Sequence, residues 1–459
     1  MPKRHLIIGG GPAGIYALEA IRELEEESAI TLISDEPAYS RMALPYYMAG
    51  EIDEEHLLMA DERYFETMRV EAIIGKRVKS IDPKGNQVTL DDGRTIQYDD
   101  LLIATGSSAN RLPIPGADLP GVLNLWTLAD AKGALERARP GAKVVFIGAG
   151  FIGFIILNAL FKLGCHISVV ELEEQVLPRM VDAQAGALVR EWLRRKGVEV
   201  ITGCSVSEIG QMADGRKSLR LSDGRALTAD LVIVATGITA NTELARGCGI
   251  QVNQGILVNE SLQTNFPNIY SAGDVAEGPD ILGGRAVHAI QPTAEEHGRI
   301  AGANMAGKEV RYPGSLLMNI LDVVGLQCNS FGIWKEDGRE VTTRANVSRP
   351  IYRKLVWEED RIVGAILIGP ADDAGVLNDL GMVKGLIQTR TPLGKWKEHL
   401  VKNPLDIRRA YVASKVAARL LDMKLTGRPS KERRFRYMNL MPETRPTEAH
   451  KILISTRPN

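Results

Sequence analysis

Residues 6–35 constrain the fold more than any other part of the chain. They predict an apolar strand, a glycine-rich turn, a helix and a second strand, and Gly9, Gly11 and Gly14 have the G-x-G-x-x-G spacing. The first glycine of this motif permits the tight turn, the second lets a diphosphate approach the backbone, and the third lets the helix pack closely on the strand. Asp35 follows the second strand, where a carboxylate can accept the hydroxyl groups of a ribose. A glycine-rich turn without a ligand would not explain this acid, so the stretch predicts a dinucleotide site at the helix N-terminus.

The same unit occurs a second time, from residue 144 to residue 171. Its glycines and its terminal acid are Gly148, Gly150, Gly153 and Glu171. Two such motifs, each with its acid, are far more specific than one, so a second dinucleotide site is expected. A carboxylate at Glu171 favours the 2′-hydroxyl of NAD and repels the 2′-phosphate of NADP, and Glu173 and Glu174 add to this repulsion. The next arginine is Arg179, so we expect NAD at this site.

Composition excludes several classes of function. The length of 459 residues suggests two to four domains, and a net charge of −1 gives no overall attraction to nucleic acid or to a membrane surface. No apolar run approaches the roughly 20 residues of a membrane span. The four cysteines are scattered without a CxxC pair, so we expect no metal site, iron–sulfur cluster or disulfide framework. The sequence runs from Met1 directly into the first strand and leaves no room for a signal peptide, so a cytoplasmic location is expected.

Three further strands end in short motifs, which are Ala104-Thr105-Gly106, Ala235-Thr236-Gly237 and Gly273-Asp274. The order of these motifs and the two glycine turns is similar to that of the pyridine nucleotide-disulfide oxidoreductase family of flavoproteins, over roughly residues 4–310. In that family the first glycine motif binds FAD and the second binds NAD(P)H. The resemblance therefore implies FAD and NAD as the cofactors.

The resemblance also implies a set of cofactor-binding residues. They are Gly9, Gly11, Pro12, Ala13, Gly14, Asp35, Glu36, Arg41, Ala104, Thr105, Gly106, Gly273, Asp274, Gly148, Gly150, Phe151, Ile152, Gly153, Glu171, Ala235, Thr236 and Gly237. Asp274 is expected to hydrogen-bond the ribitol chain of FAD. Residues 288–298 are expected to run past the flavin ring, with their helix directed at the isoalloxazine.

The loop after Asp35 carries the main departure from the family. It is similar to the loop that holds the redox cysteine in the coenzyme A-disulfide reductase and NADH oxidase branch, but Met42 stands in that place, and a thioether cannot form a disulfide. We expect Arg41 to pair with a phosphate or to lie over the adenine. Tyr46 and Tyr47 are candidates for the flavin side of the site, and the alternative is that they belong to the core. A second departure is Ile155, at a position where the family often has a glutamate.

These features predict an α/β protein with two Rossmann-like three-layer domains, a C-terminal α+β domain and an extended tail. The expected boundaries are 1–115 and 246–310 for the FAD-binding domain, 116–245 for the NAD-binding domain, 311–425 for the C-terminal interface domain and 426–459 for the tail. In the C-terminal domain, strands are expected at residues 316–319, 354–357 and 362–368. His288, His297 and Cys328 are interpreted as packed structural residues, because lone titratable groups usually have that role.

The functional interpretation is an FAD-dependent, NAD-linked oxidoreductase that exchanges electrons with an iron–sulfur protein or subunit. Rubredoxin and ferredoxin reductases, the flavin part of the nitrite reductase large subunit and flavin subunits of multi-subunit oxidoreductases are the most similar branch. A fixed subunit of a larger complex is favoured, because residues 427–459 combine clustered arginines with large apolar residues. The alternatives are an NADH oxidase that reduces O₂ and an NADH-responsive interaction module. A homo- or hetero-oligomer is compatible with all of them.

Overall fold

The structure, a computed structural model, describes residues 2–346 and 348–422. The tail expected at residues 426–459 lies outside these residues, as does the end of the expected C-terminal domain. Among the described residues, three five-stranded sheets form the framework. The first sheet is parallel, and its strands are, in order across the sheet, Ile269–Ser271, Asp100–Ile103, Arg4–Ile8, Ala29–Ser34 and Val70–Ile74.

Four strands of the second sheet follow the same order as in the first, and only the edge strand differs, because it comes first in the sequence here and last in the first sheet. Its parallel strands are Val122–Leu123, Leu231–Val234, Lys143–Ile147, His166–Val170 and Glu199–Ile201. In both sheets the central strand leads into a glycine turn, and its neighbour on one side leads into an Ala-Thr-Gly motif. Ile8 pairs with Ile103 in the first sheet, and Ile147 pairs with Val234 in the second. Each glycine turn therefore lies beside its Ala-Thr-Gly motif at the carboxyl edge of the sheet, which is where open α/β sheets bind ligands.

Three helices determine how the site is built. The first nucleotide helix is Pro12–Leu24, the second nucleotide helix is Phe151–Lys162, and we call Gln291–Met305 the cleft helix. The cleft helix packs directly on the first nucleotide helix through Gly298 and Gly302. A Cβ atom on these glycines would overlap the carbonyl oxygens of Ala13 and Ala17, respectively. The two helix backbones are therefore in direct contact.

The third sheet is antiparallel. Its strands are, in order, Met318–Asp322, Leu326–Gly332, Arg361–Pro370, Ile351–Glu358 and Glu340–Asn346. Leu355 and Leu367 pack with Val383 of the helix Ala374–Gln388. Residues on the opposite face of the third sheet, such as Tyr352 and Ile366, belong to one continuous core with Phe146 and Leu157 beneath the second sheet. The third sheet therefore shares a core with the layer that carries the second glycine motif.

The remaining helices and small sheets surround this framework. The other helices are Leu44–Met48, Glu62–Thr67, Leu128–Leu135, Ala183–Arg195, Glu243–Arg246, Lys395–Lys402, Ile407–Ala413 and Val416–Asp422, with 3-10 turns at Arg41–Ala43, Glu55–Leu57 and Gly273–Val275. The small sheets contain Ala38–Tyr39, Leu58–Ala60, Val78–Asp82, Gln87–Leu90, Thr95–Gln97, Ser107–Ala109, Val206–Gln211, Lys217–Leu221, Ala226–Ala229, Ile238–Ala240, Ile256–Leu257, Ala276–Pro279 and Arg285–Ala286. The strands expected at 354–357 and 362–368 lie within observed strands, and the one expected at 316–319 begins at Met318.

We predict that Gly302→Val lowers the melting temperature strongly, because the new side chain must separate two helix backbones that now touch. Overpacking of this kind costs about 1–3 kcal/mol or more. The matched control is Gly381→Ala, also within a helix, where no described atom lies within 4 Å of the added Cβ. That variant should gain about 0.5–1 kcal/mol from helix propensity. Equal melting temperatures for the two variants would contradict the direct helix contact.

Candidate functional site

In the first glycine turn, the fold itself requires glycine at two positions but leaves space for a side chain at the third. Gly9 has a φ of +117°, and a Cβ atom there would overlap the carbonyl oxygen of Ala104. A Cβ atom on Gly14 would overlap the carbonyl oxygen of Gly9. Gly11 is different, because its φ is −77° and no described atom lies within 4 Å of an added Cβ. The protein itself therefore gives no reason for a glycine at residue 11, whereas a diphosphate lying against the backbone does.

The second turn follows the same rule. Gly148 has a φ of +101°, and a Cβ atom there would lie against the carbonyl oxygen of Ala235. A Cβ atom on Gly153 would lie 3.0 Å from the Cβ of Ala235. Around Gly150 the nearest atom is 3.9 Å away, so its side-chain position is open. The glycine-rich cradle that a dinucleotide requires is thus present twice.

Both nucleotide helices begin at these open glycines. Gly11 and Gly150 are the N-cap residues, and no described side chain caps either helix. The first backbone N–H groups and the positive end of each helix dipole are therefore available to an anion. This arrangement suits the diphosphate groups of two dinucleotides.

Both turns open into one cleft of about 1510 Å³. Most of the residues predicted from the sequence line it. They are Gly9, Gly11, Pro12, Ala13, Asp35, Glu36, Arg41, Ala104, Thr105, Gly106, Gly148, Gly150, Phe151, Ile152, Glu171, Ala235, Thr236, Gly237, Gly273 and Asp274. Gly14 and Gly153 lie behind the turns, where they make the close packing contacts just described. The cleft is therefore large enough, and continuous enough, for two cofactors to meet.

Asp35 and Glu171, the acids that follow the second strand of each motif, have different surroundings. Asp35 is exposed and pairs with Arg77 at 2.7 Å. Glu171 is buried, and its carboxylate accepts hydrogen bonds from the backbone N–H groups of Ala149 at 2.6 Å and Glu173 at 2.9 Å. Glu171 therefore holds the second glycine turn through its backbone, a role that the sequence pattern does not indicate.

Glu36 and Arg41 form a cluster with Tyr39 and Trp126. Arg41 pairs with Glu36, and its guanidinium lies 5.2 Å from the centre of the Trp126 ring. The Tyr39 hydroxyl donates to Glu36 at 2.6 Å; burial, followed by this bond, raises the pKa of Tyr39 to about 12. The indole of Trp126 donates to the carbonyl oxygen of Ser107 at 2.8 Å. This cluster holds the Arg41 side chain at the wall of the cleft.

Asp274 lies at the base of the cleft, beside the first glycine turn. Its carboxylate accepts a hydrogen bond from the Ser107 hydroxyl at 2.8 Å, and burial raises its pKa above the usual value. The preceding N–H of Gly273 donates to Nδ1 of His297 at 3.4 Å. Burial lowers the pKa of His297 to about 3, so this imidazole is neutral and supports the turn.

The cleft helix begins at the cleft. Gln291 and Pro292 line the cavity, and the Ser40 hydroxyl donates to Oε1 of Gln291 at 2.9 Å. Gln291 in turn donates to Glu295 at 2.9 Å. The N-terminal end of the helix therefore faces the cavity, held in place by the loop that carries Met42.

Met42 lies on the cleft wall with 43% of its surface exposed. Cys165, Cys204, Cys248 and Cys328 are all described, and none of them lines the cleft. Burial raises the pKa values of Cys165, Cys248 and Cys328, which disfavours the reactive thiolate. A thioether, not a thiol, thus occupies the cleft position at which the resemblance places a redox cysteine.

Two candidate residues lie away from the cleft wall. Tyr46 is exposed on the surface, and Tyr47 packs against the core beneath the second sheet. Their helix, Leu44–Met48, directs only Leu44 and Pro45 to the cavity. His288 and Cys328 are buried, as expected for structural residues.

Several cleft residues were not predicted from the sequence. Trp126, Lys132, Asn241, Asn319 and Ile320 all line the cavity. Trp126 precedes a capping box formed by Thr127 and Asp130, and this T-x-x-D pattern was the one local signal. Asn319 and Ile320 come from the third sheet, so they reach the cavity through long-range packing that a sequence pattern does not reveal.

Comparison with known proteins agrees with this geometry. Residues 3–306 match the family described as pyridine nucleotide-disulphide oxidoreductase, and residues 318–380 match the rubredoxin NAD+ reductase C-terminal domain. The chain belongs to the pyridine nucleotide-disulphide oxidoreductase family. Its cofactors are FAD and NAD(H), in agreement with the two cradles.

Individual relatives differ in length. The chain is 32% identical to the nitrite reductase [NAD(P)H] of Bacillus subtilis (strain 168) over 82% of its own length, but it spans only 46% of that enzyme. It is 31% identical to the NADH-dependent phenylglyoxylate dehydrogenase subunit epsilon of Aromatoleum evansii, over 89% of this chain and 97% of that subunit. In the covalent putidaredoxin reductase–putidaredoxin complex, one chain superimposes with a TM-score of 0.81 at 25% identity, over 90% of this chain and 99% of that one.

Within the described residues, no helix has the length and apolar character needed to cross a bilayer.

We predict that Gly11→Val yields a folded protein without FAD, because its side chain enters space that is open in the protein but is required by the diphosphate. Gly150→Val should keep FAD and its yellow colour but lose bleaching by NADH. The control is Gly14→Val, which should fail to fold because it overlaps the backbone of Gly9. Absorbance at the flavin band and far-ultraviolet circular dichroism measure these outcomes. Full flavin occupancy in Gly11→Val would show that the first cradle is assigned wrongly.

Proposed function

We propose that this chain is an FAD-dependent NAD(H):acceptor oxidoreductase that passes electrons between NAD(H) and an external one-electron partner of iron–sulfur type. The observation that supports it most is the single cleft into which both glycine turns open. Met42 stands where a redox thiol would store electrons in the disulfide-reducing branch. When bound, FAD would supply two-electron hydride chemistry and single-electron transfer. The described residues contain no cluster that could hold a metal, so we expect the electron acceptor outside this chain.

The residues divide between the two cofactors according to the turn that each one borders. On the FAD side, Gly11 and the start of the first nucleotide helix would hold the diphosphate, and Asp35, which pairs with Arg77, would accept the adenosine ribose hydroxyls. Asp274 would accept a hydroxyl of the ribitol chain. The N-terminal end of the cleft helix would supply a positive field to the flavin.

On the NAD side, Gly150 and the second nucleotide helix would hold the diphosphate. Glu171 keeps the turn in place, and its carboxylate would also accept a ribose hydroxyl. Phe151 and Ile155 line the cleft, and their apolar side chains would help to exclude water from it. These side chains orient and shield, and we assign no proton transfer to them.

The domain assignment follows the sheets. We propose that residues 1–115 and 246–310 form the FAD-binding domain, residues 116–245 the NAD-binding domain and residues 311–425 an interface domain built on the third sheet. The third sheet contributes Asn319 and Ile320 to the cleft, so this last domain also borders the redox site.

We further propose that the chain works in the cytoplasm as the flavin subunit of a larger oxidoreductase. The relative that it covers almost entirely is named as a subunit of a dehydrogenase, and the putidaredoxin reductase that it resembles was solved in a complex with putidaredoxin. The electron partner of this chain is accordingly an iron–sulfur protein or subunit.

The central experiment uses a variant in which all four cysteines are replaced by Ala or Ser. We predict that it reduces ferricyanide with NADH at the wild-type rate, because no thiol borders the cleft among the described residues. Anaerobic titration with NADH should end at about two electrons per FAD.

The outcomes of this experiment separate the alternatives. Uptake of four electrons, or loss of ferricyanide reduction in a folded variant, would contradict the thiol-free mechanism. Fast aerobic consumption of NADH without ferricyanide would favour an NADH oxidase. Binding of NADH without any turnover would favour an interaction module.

A separate prediction concerns the choice of nucleotide. We expect kcat/KM for NADH to exceed that for NADPH by at least about tenfold, which corresponds to roughly 1.4 kcal/mol of transition-state binding. The physical reason is repulsion of the 2′-phosphate by Glu171, Glu173 and Glu174. Glu173→Gln with Glu174→Gln should narrow the preference without unfolding the protein, because both side chains are exposed. Equal efficiencies in the wild-type protein would refute the charge argument.

A further inference from the structure

The segment of residues 171–182, which we call the nucleotide loop, contributes Glu171 and residues 177–180 to the lining of the cleft. It begins at Glu171, which accepts a hydrogen bond from the N–H of Ala149. Midway, the N–H of Leu177 donates to the carbonyl oxygen of Ala149 at 2.9 Å. Arg179 follows and lines the cleft close to Gly237. The first part of the loop is therefore fixed to the second glycine turn.

The far end of the nucleotide loop is fixed by a different layer of the protein. Oδ2 of Asp182 accepts hydrogen bonds from the ammonium of Lys354 at 3.0 Å and from the hydroxyl of Tyr352 at 2.7 Å. Both donors belong to the strand Ile351–Glu358 of the third sheet. Oδ1 of Asp182 accepts from the N–H of Ala185 at 3.0 Å and caps the helix that follows. The ammonium of Lys354 also donates to Glu336 at 3.0 Å.

Burial of the Lys354 ammonium is energetically unfavourable, so stability alone does not explain a lysine at this position. Its side chain is 2% exposed. Removing an ammonium from water costs several kcal/mol, and replacement of a buried ion pair by well-packed apolar residues is often neutral or stabilising. The charged, directional contacts do provide something that apolar packing does not, because they fix one carboxylate oxygen of Asp182 from two sides.

The same strand contains a matched cation with a different partner. Arg353 is 3% exposed and pairs with Asp379 at 3.3 Å, on the helix Ala374–Gln388. Since alternate residues of a strand point to opposite faces, Arg353 faces away from the nucleotide loop. Removal of Arg353 therefore tests the effect of losing a buried cation from this strand without touching Asp182.

We infer that Lys354 and Tyr352 are positioning residues for the NAD site, through which the third sheet holds the nucleotide loop in its binding geometry. This inference rests on the proposed function. It extends that function by giving the C-terminal sheet a part in nucleotide affinity, although neither residue lines the cleft in the described part of the chain.

The test compares Lys354→Met, Tyr352→Phe and Arg353→Met in the full-length, FAD-loaded protein. Calorimetry with NAD+ on the oxidised protein gives the Kd, and steady-state kinetics with NADH and ferricyanide give KM and kcat. Lys354→Met should raise the Kd for NAD+ and the KM for NADH by about tenfold, or about 1.4 kcal/mol, because a loop that is no longer held must be ordered when the nucleotide binds. kcat and FAD content should stay at wild-type values. Tyr352→Phe should shift Kd and KM in the same direction by a smaller factor.

Arg353→Met should lower the melting temperature and leave the Kd for NAD+ unchanged. The inference is overturned if Lys354→Met keeps the wild-type Kd within about a factor of two, or if Arg353→Met raises the Kd equally. If Lys354→Met does not fold, Tyr352→Phe decides, because it removes a single hydroxyl; an unchanged Kd in that variant then refutes the inference. A wild-type protein that binds no NAD+ would refute the proposed function itself, which is a distinguishable result.

Discussion

The contact between each glycine turn and the carbonyl oxygen of its Ala-Thr-Gly strand is the constraint on which the site depends. At Gly9 the neighbour is Ala104, and at Gly148 it is Ala235. Neither glycine could carry a side chain, because the backbone of the adjacent strand already occupies that space. This close approach sets the height of each turn above its sheet, and therefore the place where each nucleotide helix begins. Because the same close contact occurs in both turns, two helix N-termini that can bind anions lie at one cavity.

Much of the fold and of the nucleotide sites could be predicted, because their signals are local. Glycine spacing, the apolar strands before the turns and the acids after them are determined by backbone sterics and by ligand chemistry within some 30 residues. The same reasoning could not foresee how Glu171 would use its carboxylate. In the structure that group is buried and accepts two backbone N–H groups. The additional binding of the backbone by this carboxylate depends on the depth of the loop, which is a tertiary property.

Long-range packing accounts for the rest. Tyr46 and Tyr47 belong to a short helix whose rotation is set by packing against the core beneath the second sheet, and this rotation turns both rings away from the cavity wall. Asn319 and Ile320 reach the cavity because the third sheet shares a core with the second. Periodicity indicates which residues are buried, but it does not say which of two apolar layers they join.

The direct contact of the cleft helix with the first nucleotide helix has a consequence for biosynthesis. The first sheet obtains its edge strand Ile269–Ser271, and its first helix obtains its glycine-matched partner, only from the part of the chain beyond residue 260. A nascent chain that has left the ribosome up to residue 115 therefore exposes the surface of Ala13 and Ala17 that Gly298 and Gly302 later cover. The strands of the second sheet are contiguous in sequence, from residue 122 to residue 234, and none of them comes from beyond residue 260. We therefore expect flavin binding to follow the synthesis of residues 269–305, although the first residues to emerge include those of the first glycine turn.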